Sequence, residues 1–368
     1  MKILVIWRLL TVGGVNAGWR NRAVYLKKHG ITTEFLYNKD LGGMHIMEDV
    51  APVYLTKDRE EIVRIITENN YDLIIVIDTA KAYKWIRKAG FKGPVIVEAR
   101  TPEIKKLQRN LEGYQSSSPE RVIVPSEHQK RVVSLLVNDT PINVVYNGID
   151  ISYFKPLLAE EINHSEDPVL EPDKKVVAYV GRLDKRKNWR MLLEIAKRLK
   201  ENRDDIQIWV IGGENSVERE EFALALNNEH LKDIVKWYPV IPYQQMRHMY
   251  AKIKESRGCT IATTRAESFG NTFIESMAAG VPVVAPSISS IPEIVKHGEM
   301  GYLFKEDNVD DAIAQIENVV NLNEEAYHSI SRQGWKQVEE NFSIDVVTDQ
   351  YAQLIKQIIN GGDTPWNH

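Results

Sequence analysis

Two glutamates, Glu267 and Glu275, flank a glycine-bearing turn and are the side chains of this sequence best placed to do chemistry. The apolar run 259–263 before them is typical of a buried strand, and apolar residues recur at helical spacing over 273–278. We therefore expect Glu267 after the carboxyl end of a strand and Glu275 in the first turns of a helix. Ligands of open parallel sheets bind at that edge. A carboxylate there can accept two vicinal hydroxyl groups, as in a ribose or a pyranose.

Backbone amides between the two carboxylates could bind phosphate, because amides at the start of a helix are unpaired and lie at the positive end of its dipole. The residues concerned are Ser268, Phe269, Gly270, Asn271 and Thr272. One site could therefore hold a sugar, a diphosphate and a ribose. The residues alone leave an alternative open, in which Glu267 is a solvated loop residue and Glu275 lies on the outer face of an amphipathic helix.

A longer pattern contains both glutamates and extends to residue 301. Its members are Glu267, Phe269, Gly270, Glu275, the run Met-Ala-Ala-Gly-Val-Pro-Val-Val at 277–284, the run Ile-Pro-Glu-Ile-Val at 291–295, Gly298 and Gly301. This pattern resembles the glutamate, seven residues, glutamate signature of glycosyltransferase family 4. The resemblance implies the GT-B fold, in which two Rossmann-like domains face a central cleft, and transfer with retention of anomeric configuration. It also implies that Glu267 positions the hydroxyls of the transferred sugar and that Glu275 binds the ribose.

A basic loop at 181–188 follows another apolar run and precedes a predicted helix. Cations beside a helix N-terminus can neutralise a diphosphate, although such a run is also typical of a solvated loop. The loop resembles the family's Gly-Arg-Leu-x-x-x-Lys-Gly element, with Asn188 in place of the final glycine. By that match, Arg182 and Lys187 bind the phosphates. The resemblance implies no role for the two basic residues between them, Lys185 and Arg186.

A Gly-Gly pair, Gly13 and Gly14, follows the first predicted strand. Adjacent glycines allow a backbone to approach a phosphate closely. Glu34 lies at a distance that would suit a dinucleotide-binding motif, but the glycine spacing is not G-x-G-x-x-G. In the resembled family, a Gly-Gly loop here faces the donor phosphates, and Gly14 matches it. A purely structural turn is the alternative.

Glu98 and Arg100 lie in the loop where many members of the family carry a histidine that reaches the transferred sugar. This chain has no histidine there. Glu98 or Arg100 could recognise the acceptor or a phosphate instead, or Arg100 could simply pair with Glu98 or Glu103. Both interpretations stay open.

Apolar runs alternate with amphipathic segments along the whole chain, which is typical of parallel sheets covered by helices. Strands are predicted at 3–7, 33–36, 73–77, 95–98, 121–124, 142–146, 176–180, 206–211, 235–238 and 259–263. Helices are predicted at 19–29, 58–69, 80–89, 126–137, 189–200, 243–253, 307–322, 323–341 and 345–359. Ser126 and Gln129 form a predicted capping box.

The chain is long enough for two domains. The run Asn147-Gly148-Ile149-Asp150 resembles the family stretch that closes the first domain, and the polar segment 160–173 suits a linker. We therefore predict an acceptor-side domain at 1–165, to which the GT-B resemblance adds a returning helix at about 346–360. The predicted nucleotide-sugar domain is 170–345. Residues 361–368 are expected to fray.

Composition indicates a cytoplasmic protein. A single cysteine, Cys259, excludes an internal disulfide and a cysteine-based metal site, and no apolar run is long enough for a membrane span. Residues 1–165 carry 23 basic and 19 acidic side chains, against 24 and 32 in the remainder. This mildly basic first half leaves peripheral contact with the inner face of a membrane open, beside plain surface. We expect no nucleic-acid partner, and the oligomeric state is undetermined.

These residues and the resemblance predict a hexosyltransferase of family 4 that uses a nucleoside-diphosphate sugar and a hydroxyl acceptor, whether glycan, lipid-linked or small molecule. The chain contains no Asp-x-Asp triplet. Arg182, Lys187 and the amides after Glu267 would therefore stabilise the leaving diphosphate in place of a metal, and no cofactor is expected beyond the sugar nucleotide. The alternatives are a GT-B sugar-nucleotide epimerase and a non-catalytic protein that binds sugar nucleotides or glycans.

Overall fold

The computed structural model describes residues 1–11, 13–164 and 167–361. It divides into two compact units. The first consists of Met1–Asp150 and the chain from Phe342 onward, and the second of Ile151–Asn341. Each unit is built on a parallel sheet with connecting helices, which confirms the predicted α/β fold class of two Rossmann-like domains.

The first unit has a seven-stranded sheet in the described residues. Its strands are Lys2–Thr11 (β1), Thr32–Leu41 (β2), Val53–Leu55 (β3), Leu73–Ile77 (β4), Val95–Glu98 (β5), Arg121–Val124 (β6) and Ile142–Val144 (β7). Its helices up to residue 150 are Gly14–Lys28 (α1), Arg59–Glu68 (α2), Ala80–Lys88 (α3), Ile104–Leu111 (α4) and Glu127–Ser134 (α5). The strand order is β3-β2-β1-β4-β5-β6-β7, and every neighbouring pair is parallel.

The centre of this sheet is apolar on both faces. All five residues of β4 are buried, and they pair with β1 from Leu73 opposite Ile3 to Ile77 opposite Trp7. Continuous apolar runs of this kind occur where helices cover both faces of parallel strands. Because the strands run in one direction, the loops after β1, β4 and β5 lie at the same edge of the sheet.

The second unit has a six-stranded sheet among the described residues. Its strands are Lys175–Val180 (β8), Ile206–Ile211 (β9), Val235–Tyr238 (β10), Cys259–Ile261 (β11), Val283–Pro286 (β12) and Gly301–Phe304 (β13). Its helices are Ile151–Phe154 (α6), Trp189–Asn202 (α7), Arg219–Asn228 (α8), Tyr243–Glu255 (α9), Asn271–Ala278 (α10), Ile291–Ile294 (α11), Val309–Val320 (α12) and Glu324–Asn341 (α13). The strand order is β10-β9-β8-β11-β12-β13, so β8 and β11 are neighbours and their exit loops are adjacent.

The last helix, Ile344–Ile359 (α14), belongs to the first unit. Ser343 starts it by accepting a hydrogen bond from the Val346 amide at 3.4 Å. Its apolar face joins the core beneath the first sheet, where Tyr351 and Ile355 are fully buried. The apolar face of this amphipathic helix therefore covers part of the first sheet.

The structure also differs from the predictions in several places. A helix that was not predicted, α6, follows residue 150, and its buried Phe154 packs edge-to-face on Tyr250 at 6.1 Å between ring centroids. This packing assigns residues from Ile151 onward to the second unit, earlier than the boundary expected at 165–170. Half of the predicted capping box forms: the Gln129 amide donates to Ser126 Oγ at 3.0 Å, but the Gln129 side chain donates to the Thr101 carbonyl instead.

The chain beyond residue 361, for which fraying was expected, lies outside the described residues. Within the described ranges, no helix combines the length and the apolar character that crossing a bilayer requires.

Candidate functional site

Glu267 is the centre of a polar cluster at the carboxyl edge of the second sheet. It lies in the loop after β11, and its Oε1 receives the Lys187 ammonium and, at 3.3 Å, Nη1 of Arg186. Both cations come from the loop after β8. Because β8 and β11 are adjacent strands, residues about eighty positions apart meet here.

The charge of Glu267 is stabilised by these two cations. Glu267 is only 7% exposed, and burial alone would raise the pKa of its carboxyl group. Lys187 and Arg186 outweigh burial and hold that pKa below its ordinary value. Among the described residues, none donates a hydrogen bond to Oε2. The cluster therefore has one occupied carboxylate oxygen, one available oxygen and a net positive charge.

Hydrogen bonds to backbone carbonyl groups fix the two loops to each other. The Arg265 amide donates to the Arg186 carbonyl at 2.8 Å, and the Thr263 hydroxyl lies 3.0 Å from the carbonyl oxygens of Lys187 and Asn188. In the other direction, Arg186 Nη1 donates to the Ala266 carbonyl at 2.7 Å. The cations therefore keep their positions through the main chain as well as through Glu267.

Asn188 explains how the basic loop departs from the family pattern without losing its shape. Its backbone is left-handed, with φ 53° and ψ 47°, a conformation that glycine adopts freely and that asparagine tolerates better than most residues. Its side chain donates to Asp307 at 2.9 Å. Asparagine in the glycine position thus preserves the turn that leads into α7.

Arg182 does not join the cluster. It is exposed, and its Nη2 lies 3.1 Å from Asp184, whose other oxygen caps the Lys187 amide at 2.8 Å. The resemblance predicted Arg182 and Lys187 as a pair and gave no role to Arg186. In the structure, Arg186 is the residue that accompanies Lys187 to Glu267, because the loop turns the Arg182 side chain toward solvent.

The turn between the glutamates is shaped by Gly270 and anchored by Ser290. Gly270 has φ +112°, and a Cβ at this position would lie 2.4 Å from the Phe273 ring. The Ser290 hydroxyl lies 3.0 Å from the Phe269 carbonyl and 3.3 Å from that of Glu267. This geometry places Ser268 and Asn271 around the start of α10 and presents the N-terminus of that helix beside Glu267.

Thr272 shares a small cavity with Lys187. Thr263 and Thr264 also line this cavity. The structure therefore brings together Lys187, in the loop after β8, and Thr272, in the first turn of α10, which were both predicted to bind the donor.

Glu275 has surroundings of its own. It is half-buried, and Oε2 accepts a hydrogen bond from the Tyr250 hydroxyl at 3.1 Å. Burial raises the pKa of Glu275 to about 7, and the Tyr250 hydrogen bond opposes that rise. Tyr250 in turn packs edge-to-face against Phe154 of α6. The two glutamates share no hydrogen-bond partner among the described residues. Glu267 and Glu275 therefore belong to two separate polar groups along the same segment.

In the first unit, Gly14 begins α1 directly after the Gly13 N-cap, at the edge where β1 ends. It is exposed to solvent. Gly13 is extended, with φ −176°, so the turn does not need glycine for its backbone angles. The exposed start of this helix suits the close backbone approach predicted there, although Val12 lies outside the described residues.

Glu98 and Arg100 form a buried network. Glu98 is 0% exposed, and Arg100 donates to its Oε2 at 2.8 Å. Trp19 also donates to Oε2, at 3.1 Å, while Tyr351 donates to Oε1 at 2.6 Å. Arg22 lies 3.8 Å from Oε1. Of the two interpretations that the sequence left open, this geometry favours internal pairing over contact with an acceptor.

Sequence reasoning missed three residues that shape the site: Arg186, Ser290 and Tyr250. Arg186 had a signal, since it is adjacent to Lys187 in a basic run, but nothing in the run distinguishes it from Lys185. Ser290 and Tyr250 act across 21 and 25 residues of sequence, and only the fold brings them close.

Comparisons with known proteins find sequence similarity mainly in the second unit. The family model of glycosyl transferases group 1 matches residues 160–337. The D-inositol 3-phosphate glycosyltransferase of Thermobifida fusca is 26% identical over 58% of this chain and 50% of its own length, so the chain spans half of that relative. Spore coat protein SA of Bacillus subtilis is 22% identical over 86% of this chain and 89% of its own length.

Solved structures extend the similarity to both units. HepE of Anabaena, in complex with UDP and glucose, has a TM-score of 0.83 at 20% identity and covers 97% of this chain and 100% of its own. The sucrose-phosphate synthase of Thermosynechococcus elongatus has a TM-score of 0.81 at 18% identity, over 98% of this chain and 100% of its own. At these identities the likeness establishes the fold alone. Residues 160–337 therefore match the glycosyl transferases of group 1 by sequence, and the chain has the GT-B fold that the resemblance implied.

Proposed function

We propose that the chain is a retaining, metal-independent glycosyltransferase of family 4 that moves a hexosyl unit from a nucleoside-diphosphate sugar to a hydroxyl acceptor. The observation that carries this proposal is the cluster of Lys187, Arg186 and Glu267, within the region that matches the glycosyl transferases of group 1. A buried carboxylate with one available oxygen suits sugar hydroxyls, and an excess of positive charge beside it suits a diphosphate.

Glu267 binds the transferred sugar through Oε2. Because Oε1 is held by two cations, the carboxylate stays ionised and its orientation is fixed before the donor arrives. Its negative charge also stabilises the positive charge that develops at the anomeric carbon. Preorganised groups of this kind need no reorganisation during the reaction.

Lys187 and the amides at the start of α10 stabilise the leaving diphosphate. The bond between the anomeric carbon and the β-phosphate oxygen breaks, and its electron pair leaves with the nucleoside diphosphate. The acceptor oxygen attacks from the face that the diphosphate leaves, and the acceptor proton passes to a phosphate oxygen. When the donor binds, Arg182 moves from solvent to the diphosphate. This movement costs little, because an exposed ion pair such as that with Asp184 is worth less than about 1 kcal/mol.

Glu275 binds the ribose hydroxyls of the donor, and Gly14 supplies a backbone amide for its phosphates. UDP-sugars are the first donors to test, because HepE was solved with UDP and glucose. The acceptor is a hydroxyl compound. The name of the Thermobifida fusca relative, a D-inositol 3-phosphate glycosyltransferase, offers inositol phosphates as a starting point. Growing glycans are a second, from the name of the capsular polysaccharide biosynthesis glycosyltransferase CapM of Staphylococcus aureus, which is 24% identical over 63% of this chain and 60% of its own length.

The test begins with thermal-shift screening against UDP-, GDP-, ADP- and TDP-sugars. A donor at a hundredfold excess over its dissociation constant stabilises the protein by about 2.7 kcal/mol. Transfer or slow hydrolysis of that donor is then followed by NMR, which gives the anomeric configuration of the first product, with and without EDTA. We expect retention and a rate that EDTA leaves unchanged. An inverted product, an epimerised donor, or binding without turnover would contradict the proposal.

A further inference from the structure

A second cavity of about 480 Å³ lies in the second unit, away from Glu267. Lys254 at the end of α9 and Gly280 after α10 line it, and both precede strands of the sheet, β11 and β12. The Glu267 cluster lies at the opposite edge, where β8 and β11 end. The volume falls in the range of small-molecule sites, and nothing in the proposed transfer reaction uses this cavity.

Two cations at this cavity have no acidic partner. Neither Lys254 nor Arg332 forms an ion pair or a hydrogen bond with any residue that the structure describes. Burial lowers the pKa of Lys254, as expected for an ammonium group that has lost water and gained no anion. Gly280 makes room for this side chain, since a Cβ there would lie 3.3 Å from Lys254 Cε.

A buried hydroxyl also lines the cavity without a partner. Ser331 is 7% exposed, and its Oγ has no hydrogen bond in the structure. Buried polar groups are almost always satisfied, and an unsatisfied one costs about 1 to 3 kcal/mol. An orphan hydroxyl beside two unpaired cations therefore indicates a ligand that accepts hydrogen bonds.

The rest of the lining contains Trp335 and Pro156 besides His328 and Glu325. Trp335 lies one helical turn beyond Ser331 on α13 and contributes an indole ring. Aromatic rings of this kind pack against the C–H face of a sugar. Glu325 is the single acidic residue among the lining residues, so the cavity keeps a positive charge.

We propose that this cavity binds a phosphorylated monosaccharide, with the phosphate on Lys254 and Arg332, a phosphate or sugar oxygen on the Ser331 hydroxyl, and the sugar ring against Trp335. Two cations and a hydroxyl match a doubly charged phosphate, and the volume accommodates one hexose beside it. This site is distinct from the donor site, because the two lie at opposite edges of one sheet.

The experiment is isothermal titration of the full chain with glucose 6-phosphate as the probe, in the presence of saturating UDP so that the donor site is occupied. Glucose and inorganic phosphate serve as comparison ligands. We expect glucose 6-phosphate to bind more tightly than either. Loss of its binding when UDP is present would place it in the donor site and overturn the proposal, as would equal affinity for inorganic phosphate.

Variants locate the binding. Lys254→Met and Arg332→Gln should each lower the affinity for glucose 6-phosphate about tenfold or more, since each removes a charge-assisted hydrogen bond. Lys336→Met is the matched control, because Lys336 lies on the same helix but pairs with Glu340 at 3.6 Å. It should change the affinity less than about twofold. Equal affinity in all three variants would overturn the proposal.

Ser331→Ala separates binding from folding. Because the hydroxyl has no partner, its removal should leave the melting temperature of the free protein unchanged or higher, while glucose 6-phosphate binds more weakly. A lower melting temperature with unchanged affinity would show that the hydroxyl serves the fold and would contradict its place in the site.

Discussion

Glu98 in the first unit and Glu267 in the second have similar positions, burial and charged neighbours, but the protein leaves different numbers of their carboxylate oxygens available. Each lies at or after the carboxyl end of a central parallel strand, each is at most 7% exposed, and each meets two cations. Trp19, Arg100 and Tyr351 donate three hydrogen bonds to the two oxygens of Glu98. Arg22 adds an ion pair at 3.8 Å. Glu267 has its two cations on one oxygen, and the other is open.

The difference shows that residue type and burial do not decide whether an acidic group serves the fold or a ligand. The decisive property is the number of hydrogen-bonding positions that the protein itself fills. Tyr351 of α14 completes the set around Glu98, so that carboxylate ties the terminal helix to the first sheet. The vacant position on Glu267 is what a sugar hydroxyl can use.

The largest expected effect is on stability, from Glu98→Gln. It leaves Arg22 and Arg100 buried without their anion, which we expect to lower the free energy of unfolding by about 3 to 5 kcal/mol. Urea denaturation measures it, with Glu103→Gln as the exposed control, expected within about 0.5 kcal/mol. If Glu98→Gln were as stable as the control and lost transfer activity instead, the structural role would be wrong.

Next is Glu267→Gln, which should lower the rate of sugar transfer by about 10²- to 10³-fold, as loss of a preorganised charge at a transition state does. Its melting temperature should change far less than that of Glu98→Gln, since Lys187 and Arg186 have access to water. Steady-state kinetics and calorimetry on the same preparations give both values. A variant that is inactive only because it unfolds would remove the contrast between the two glutamates.

Lys187→Ala should lower kcat about a hundredfold, because it removes both the partner of Glu267 and a cation for the diphosphate. Arg182→Ala should lower kcat by about tenfold or less, because Arg182 is exposed and paired with Asp184 before the donor binds. Lys185→Ala is the matched control in the same loop, and single-turnover kinetics should find it within twofold of wild type. A larger loss for Arg182 than for Lys187 would reverse the assignment.

The smallest effect is a pH dependence from Glu275. Ribose hydroxyls donate to an ionised carboxylate, so donor KM should rise as pH falls through about 7, the pKa of this group. Glu275→Gln should have a higher KM that is flat across this range. The pKa of Glu275 is higher in the folded state than its ordinary value of 4.5, so the unfolded chain loses this proton first as pH increases. Glu275 therefore lowers the free energy of unfolding progressively between about pH 4.5 and pH 7. A pH profile unchanged by the substitution would exclude Glu275 from the donor site.

Local patterns predicted much of the fold. The strands at 73–77, 95–98, 121–124, 206–211 and 235–238 match residue for residue, because each consists mostly of apolar and β-branched residues and lies between polar turns. The short edge strand Val53–Leu55 and the helices α4, α6 and α8 were missed, since their sequences are polar or brief and depend on neighbours for stability.

The candidate site was less predictable than the fold. Glu267 and Lys187 could be found because they belong to motifs. The pairing of Arg186 with Glu267 depends on two loops that are adjacent only in the folded sheet, and the role of Glu98 depends on Tyr351, 253 residues away. Spacing within a motif contains no information on contacts of that kind.

A crystal structure of the protein with an uncleaved sugar nucleotide, or with UDP and the free sugar, tests the central claim most directly. The account predicts a sugar hydroxyl within hydrogen-bond distance of Glu267 Oε2, with the Lys187 ammonium between Oε1 and the diphosphate. A sugar bound elsewhere, with Oε2 still open to solvent, would contradict it.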